Sequence, residues 1–217
     1  MNKPSAVRHG RYLAAGLCLL ILGACGALRP EAAPPHPAYY ALDIPQRPAP
    51  ATATATATAP TLTVNPPHAA AGFDSARLIY VRETHKPEYF AHSAWIDPPA
   101  RMLAPLLVAA VENTGAFRAV VQKPGTATGD FRLDTEIIRL QQDFRTAPSR
   151  AHFTLRAYLV EEKTRRVIAW QEFDAAVPVT SEDPYGGVVA ANQAVGIVLE
   201  RLATFCADAA GSVWMKK

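Results

Sequence analysis

Cysteine is scarce in this 217-residue chain: there are three, at positions 18, 25 and 206. That excludes a disulfide framework and any Cys-x-x-Cys redox or zinc motif. Charge of one sign is also missing. The 22 basic and 19 acidic residues leave a formal net charge of +3, too little for the basic footprint of a nucleic-acid-binding protein. No unbroken apolar run reaches the ~20 residues that a membrane-spanning helix needs, which argues against a polytopic membrane protein. Gly-x-Ser-x-Gly, His-Glu-x-x-His and Gly-x-x-x-x-Gly-Lys do not occur, so the common nucleophile, zinc and phosphate-binding signatures are absent.

What is present begins at the N-terminus. Lys3, Arg8 and Arg11 precede the apolar stretch Tyr12–Leu22, and no acid stands before Glu31. A basic segment followed by an apolar stretch of this length reads as a secretory signal peptide over residues 1–24. Leu22-Gly23-Ala24-Cys25 follows directly and resembles a bacterial lipobox. Cleavage between Ala24 and Cys25 would leave Cys25 with a diacylglycerol on its sulfur and an N-acyl chain such as palmitate. No other cofactor, and no metal, is expected. Losing Lys3, Arg8 and Arg11 leaves 19 basic against 19 acidic residues. Cys18 departs with the signal, and Cys206, inside a helical pattern, reads as a small buried apolar residue.

Residues 25–38 contain Pro30, Pro34, Pro35 and Pro37 and read as an extended tether, about 40 Å long at ~3.1 Å per residue. The domain then runs over 39–210. Tyr39 to Ile44 alternates as a strand. Residues 46–60 form a loop rich in Pro, Ala and Thr, whose Ala-Thr dipeptides from Ala51 to Thr58 offer no large apolar group to bury.

Further strands are expected at Thr61–Val64, Arg77–Arg82, Tyr89–His92 and Phe117–Val121. Asp97-Pro98 supplies a cap and a first-turn proline for a helix carrying Leu103, Leu106, Leu107 and Val111, with Pro105 kinking or delaying it and Gly115 ending it. Two central hairpins come next. Phe131, Leu133, Thr135 and Ile137 share one strand face, and Ile138, Leu140 and Phe144 share the other, so a bulge at Ile137-Ile138 or a strand reaching past the sheet is expected. Asp183-Pro184 opens an amphipathic helix of about 22 residues. The sum is an α+β domain: a mostly antiparallel sheet with two helices packed on one face.

Helices covering one face leave the other partly exposed. Trp170, Ile168 and Leu140 fall on that side and are candidates for a partner surface. Trp95, just before the first helix, either staples that helix to the sheet or joins the partner surface. Polar candidates are weaker. His85 and His92 sit in a hairpin with Glu83 and Glu88 nearby, and Asp134 and Glu136 share a strand face. A solvated hairpin tip and ordinary sheet polarity account for both, and no catalytic or metal role is assigned. Gly186-Gly187 at the start of the last helix would suit an anion.

An acylated cysteine, a short tether and Tyr39-Tyr40-Ala41-Leu42 open the domain. A strand ending in Arg82, then Trp95-Ile96-Asp97-Pro98 and Phe117-Arg118-Ala119-Val120, lead to two hairpins and an alanine-rich final helix. In this order the chain resembles the ABC-type transport auxiliary lipoprotein family, the Pqi-type outer-membrane lipoproteins. Ala69 to Asp74 departs from the family's usual Leu-Pro-x-Tyr-Leu segment, and the Ala-Thr loop is extra. The resemblance implies a non-enzymatic lipoprotein on the periplasmic face of the outer membrane, held there by its lipid anchor. Its partners would be an ABC ATPase and permease and a periplasmic mammalian-cell-entry-type protein in lipid transport. The alternative is an assembly factor or chaperone of another outer-membrane complex. A secreted lipoprotein enzyme, the third class, requires a deep polar cleft.

Overall fold

Strict period-two patterning becomes strand, and the two proline-led apolar stripes become helices. The computed structural model describes residues 36–45, 56–123 and 129–215. The signal peptide, Ala24, Cys25, most of the tether and residues 46–55 lie outside the described residues. The strands are β1 (Ala38–Tyr40), β2 (Thr61–Val64), β3 (His68–Ala69), β4 (Arg77–Glu83), β5 (Lys86–Trp95), β6 (Ala119–Gln122), β7 (Phe131–Asp143), β8 (Arg150–Glu161) and β9 (Arg166–Pro178). The helices are α1 (Pro99–Glu112) and α2 (Pro184–Trp214).

β7 organises the sheet. Its whole length pairs antiparallel with β8, from Phe131 opposite Glu161 to Asp143 opposite Arg150, and β8 pairs in turn with β9. A strand has two edges, so β2, β3 and β4 share the remaining one in succession. Leu62 lies opposite Phe131, His68 opposite Glu136, and Tyr80 opposite Gln142, all in parallel. β6 extends the sheet beyond β2, and β5 then β1 extend it beyond β4. Among the described residues, five pairings are parallel and three antiparallel. The sheet is therefore mixed: the two longest ladders are antiparallel, as expected, and short parallel pairings that were not expected join the remaining strands to them. Sequence patterning displays adjacent hairpins and hides pairings between distant strands.

α1 starts one residue later than expected. Pro99 occupies the first turn, Pro98 the cap position, and no side chain caps the helix. Asp97 instead accepts a hydrogen bond from Arg101 Nη1 at 3.1 Å. Pro105 is accommodated within the helix. It and Arg101 both lie on the exposed side, so the carbonyl left without its N–H donor falls on the solvent side of the helix. α2 matches its expected start, with Asp183 Oδ1 accepting from the Gly186 N–H at 2.7 Å. It runs 31 residues, well past the expected end, because Trp214 still finds partners: its ring meets Phe131 edge-on at 6.2 Å and its indole N–H donates to the Thr58 carbonyl at 2.9 Å. The end of the Ala-Thr loop is thus held by α2.

The core joins Leu62, Leu107, Phe131, Phe153, Leu155 and Leu202, all fully buried, with α2 lying along β8 and β9 and α1 against α2. By length and composition α2 passes for a membrane span. Its Val188, Ala191, Val195, Val198 and Leu202 are instead buried among the core side chains. Cys206 is buried too, and burial pushes its thiol up to about 12, so it is no nucleophile at neutral pH.

Candidate interaction surface

The β7–β8–β9 hairpins turn one face to α2 and the other outward. Alternation and register define the outward rows. Asp134, Tyr158 and Trp170 form one, Glu136, Arg156 and Glu172 the next, and Arg139, Thr154 and Asp174 the third. The second and third rows are bonded across the strands. Arg156 reaches Glu172 at 2.9 Å and Glu136 at 3.6 Å. Arg139 Nη2 donates to Asp174 at 2.8 Å, and the Thr154 hydroxyl donates to the same oxygen at 2.5 Å. Burial works against the charge of Asp174, but Thr154 and Arg139 outweigh it and hold the carboxyl below its ordinary range. At the far end Arg145 binds Asp143, which holds that carboxyl down to about 2 despite its burial. His152, 4.0 Å from Asp143, is pushed down first by burial and then by Arg139.

The ladder ends in an aromatic. Trp170 is 64% exposed and stacks on Tyr158, centroids 6.4 Å apart. It stands on β9, which pairs only with β8 among the described strands, so one edge is open. The Asp174 and Ala176 carbonyls on that edge are covered by Arg201 and Arg150, at 3.1 and 3.0 Å. By period two, the backbone groups of Trp170 and Glu172 point the same way, and among the described residues no such cover meets them. Beside this stretch lies an open groove of about 490 Å3 between Gln171 and the Arg201, Thr204, Phe205 and Asp208 side chains of α2.

Of the four partner-surface candidates, the structure exposes one fully. Trp170 is on the surface, and Ile168 beside it is half-buried. Leu140 is 3% exposed and belongs to the core. The expected irregularity exists, between Ile137 and Arg139, but its effect is the reverse of that inferred. Ile138 is the extra residue, so Leu140 returns to the inner face opposite Phe153. Trp95 is likewise 3% exposed, closing the core at the end of β5 opposite Tyr40. Neither is available to a partner.

The polar candidates are accounted for locally. Asp134 accepts from Asn65 Nδ2 at 2.6 Å and pairs with Arg132, and Glu136 pairs with Arg156. His85 and His92 are exposed, and among the described residues no group of three or more His, Cys, Asp or Glu is placed to hold a metal. The glycines of α2 serve packing rather than anion binding. Asp183 takes the Gly186 N–H, and a Cβ on Gly187 would fall 2.1 Å from Gln142 Oε1. A small cavity bounded by Trp95, Leu140, Gln142 and Gly187 has about 20 Å3, space for a single water. Sequence reasoning missed the charge ladder, whose signal is polar residues, many of them charged, recurring at every second position on three successive strands. β3 was missed as well, since two residues after Pro66-Pro67 carry no periodicity.

Residues 40–203 match the family model described as ABC-type transport auxiliary lipoprotein component. The chain is similar to a crystal structure of protein XCC0632 from Xanthomonas campestris, of the DUF330 family. The two share 25% identity with a TM-score of 0.71, over 82% of this chain and 99% of that one. An uncharacterised protein of known structure, 12% identical, has a TM-score of 0.61 over 78% of this chain and 98% of its own, which supports the fold alone. No curated protein matches the chain.

Proposed function

We propose that this chain, which belongs to the ABC-type transport auxiliary lipoprotein family, is a non-enzymatic docking subunit of an ABC transport system. Processing before Cys25 and acylation of its thiol anchor it to the periplasmic face of the outer membrane. Gly26 fits that sorting, because an aspartate after the acylated cysteine is the usual inner-membrane retention signal. The domain then receives a periplasmic mammalian-cell-entry-type protein of a lipid transport system.

The observation that carries the docking role is Trp170 on an open sheet edge. A large aromatic side chain left 64% exposed, beside backbone groups with no partner strand among the described residues, is the usual composition of an interface anchor. An added strand would hydrogen-bond at Trp170 and Glu172 and drop alternate side chains into the groove under α2. The family is not an enzyme family, and the carboxylates of the outward rows beside Trp170 are engaged with neighbouring side chains.

Co-purification from detergent-solubilised envelopes tests this. Trp170→Asp is expected to leave a folded, acylated protein that no longer retains its periplasmic partner. Asp134→Asn is expected to retain it. An enzyme would show the opposite: one polar substitution abolishing function while partner binding persists.

A further inference from the structure

Four of the exposed large apolar side chains, Tyr39, Tyr89, Ile96 and Tyr185, lie far from Trp170 in the sheet order, on β1, on β5 and its end, and in the first turn of α2. Register shows how two of them, Tyr39 and Ile96, share a face with Arg77. Arg77 of β4 lies opposite Ala94 of β5, which lies opposite Tyr39 of β1. Ile96 is two residues beyond Ala94 and therefore on the same side, held in line by its N–H donating to the Tyr40 carbonyl at 2.7 Å. Tyr39 is 63% and Ile96 68% exposed. The Arg77 guanidinium lies over the Tyr89 ring at 4.6 Å and has no carboxylate partner among the described residues.

We propose that the face formed by Tyr39, Arg77 and Ile96 is a contact for the phospholipid surface. The inference rests on the lipid anchor at Cys25 in the reading above. Two observations select lipid over protein. First, β1 begins at Ala38, thirteen residues after Cys25, so this edge is the part of the domain joined most closely to the anchor. A short leash gives millimolar effective concentration, which makes even a weak contact populated. Second, the chemistry is interfacial. Tyrosine presents an apolar ring with a polar tip, isoleucine is wholly apolar, and arginine recognises phosphate. An unpaired guanidinium stacked on a tyrosine keeps its N–H edges for such a headgroup. On the Trp170 face, by contrast, Arg139 and Arg156 are already paired to carboxylates.

The test uses the acylated protein in phosphatidylethanolamine–phosphatidylglycerol vesicles, with an environment-sensitive fluorophore on Tyr39→Cys or Ile96→Cys. Cys206 is buried and does not compete for label. Emission at residues 39 and 96 is expected to shift to the blue and to be quenched by spin-labelled lipid, while the same probe on Trp170→Cys stays aqueous. Ile96→Glu is expected to abolish the shift at residue 39 with an unchanged circular dichroism spectrum. Probes at 39 and 96 that behave like the one at 170 overturn the proposal, as does protection that appears only when a protein partner is added. Mass spectrometry of Cys25 tests the anchor separately. If Cys25 is unmodified, the anchoring reading fails. The Cys25→Ser chain held on nickel-chelating lipid by an N-terminal histidine tag then decides the face by the same shift or its loss.

Discussion

β1 and β9 are both edges of one sheet, and they treat their tryptophans and tyrosines in opposite ways. At the β1 end the tryptophan, Trp95, is buried and Tyr39 and Tyr89 are left outside. At the β9 end the tryptophan, Trp170, is left outside on a tyrosine that it stacks against. The charges differ in the same manner. The two rows next to the aromatic one are closed by ion pairs and hydrogen-bonded carboxylates, whereas Arg77, in the row of Tyr39, lies over the Tyr89 ring and has no carboxylate partner among the described residues. A surface whose charges are already satisfied can be covered by a protein strand without stranding an ion. One with an unpaired guanidinium and tyrosine tips is suited to headgroups. The two edges are therefore read as one for a partner and one for the bilayer.

The comparison is broken most sharply through the tryptophans. Trp95→Ala removes a core side chain and leaves a cavity, so an unfolding free energy lower by about 3–5 kcal/mol is expected. Trp170→Ala is expected to cost about 1 kcal/mol or less, the worth of its stacking on Tyr158. Urea denaturation followed by circular dichroism checks both. Comparable losses would mean that Trp170 is as structural as Trp95, and the docking assignment would go with it.

A second effect, intermediate in size, belongs to the buried end of the ladder. Arg145 holds the Asp143 carboxyl at about 2, below its ordinary 3.8. A depressed folded value favours the native state above the unfolded value, so this stabilisation is complete above roughly pH 4 and is lost as pH falls through about 2. It amounts to about 2 kcal/mol. Stability measured across that window should fall more steeply in the parent than in Asp143→Asn. Parallel curves would show that the Asp143–Arg145 pair does not hold the carboxyl down.

Local features were legible in the sequence, and long-range ones were not. The Asp183 cap, the β2 boundaries and the irregularity at Ile137-Ile138 each depend on neighbouring residues, and each was read from them; the end of α1 was read at Gly115 and falls at Glu112, three residues earlier. What failed was the consequence of that irregularity. A change of apolar phase admits two solutions, a strand that presents its other face or an extra residue that restores the first. Only the partner strand decides, and Phe153 across from Leu140 chose the second. The three strands in series along β7 are unreadable for a related reason: residues 62 and 131 carry no mark that they will meet. The exposure of Trp170 was legible because alternation with Phe173, a core residue, already opposed them. The lipid-facing row was not, since Tyr39, Arg77 and Ile96 come from segments that only the registers bring together.

The smallest expected effect concerns the ladder itself. Arg156 is the middle rung, reaching Glu172 on one side and Glu136 on the other, with all three side chains about a third or more exposed. Exposed ion pairs of this kind are worth about 0.2–1 kcal/mol, because water screens them and two long side chains must be ordered. Arg156→Ala should therefore lower stability by no more than about 1 kcal/mol, and less at high salt. Its effect on docking should be larger than its effect on folding. Removing the cation leaves Glu136 and Glu172 facing each other without a counter-charge, one row from Trp170, where an incoming strand would have to desolvate them. Arg156→Ala is thus expected to weaken partner retention while the melting curve barely moves, and Arg156→Lys to restore most of it. A variant that binds normally would show that the ladder only fills the outward face, and would confine the docking surface to Trp170 and the open edge of β9.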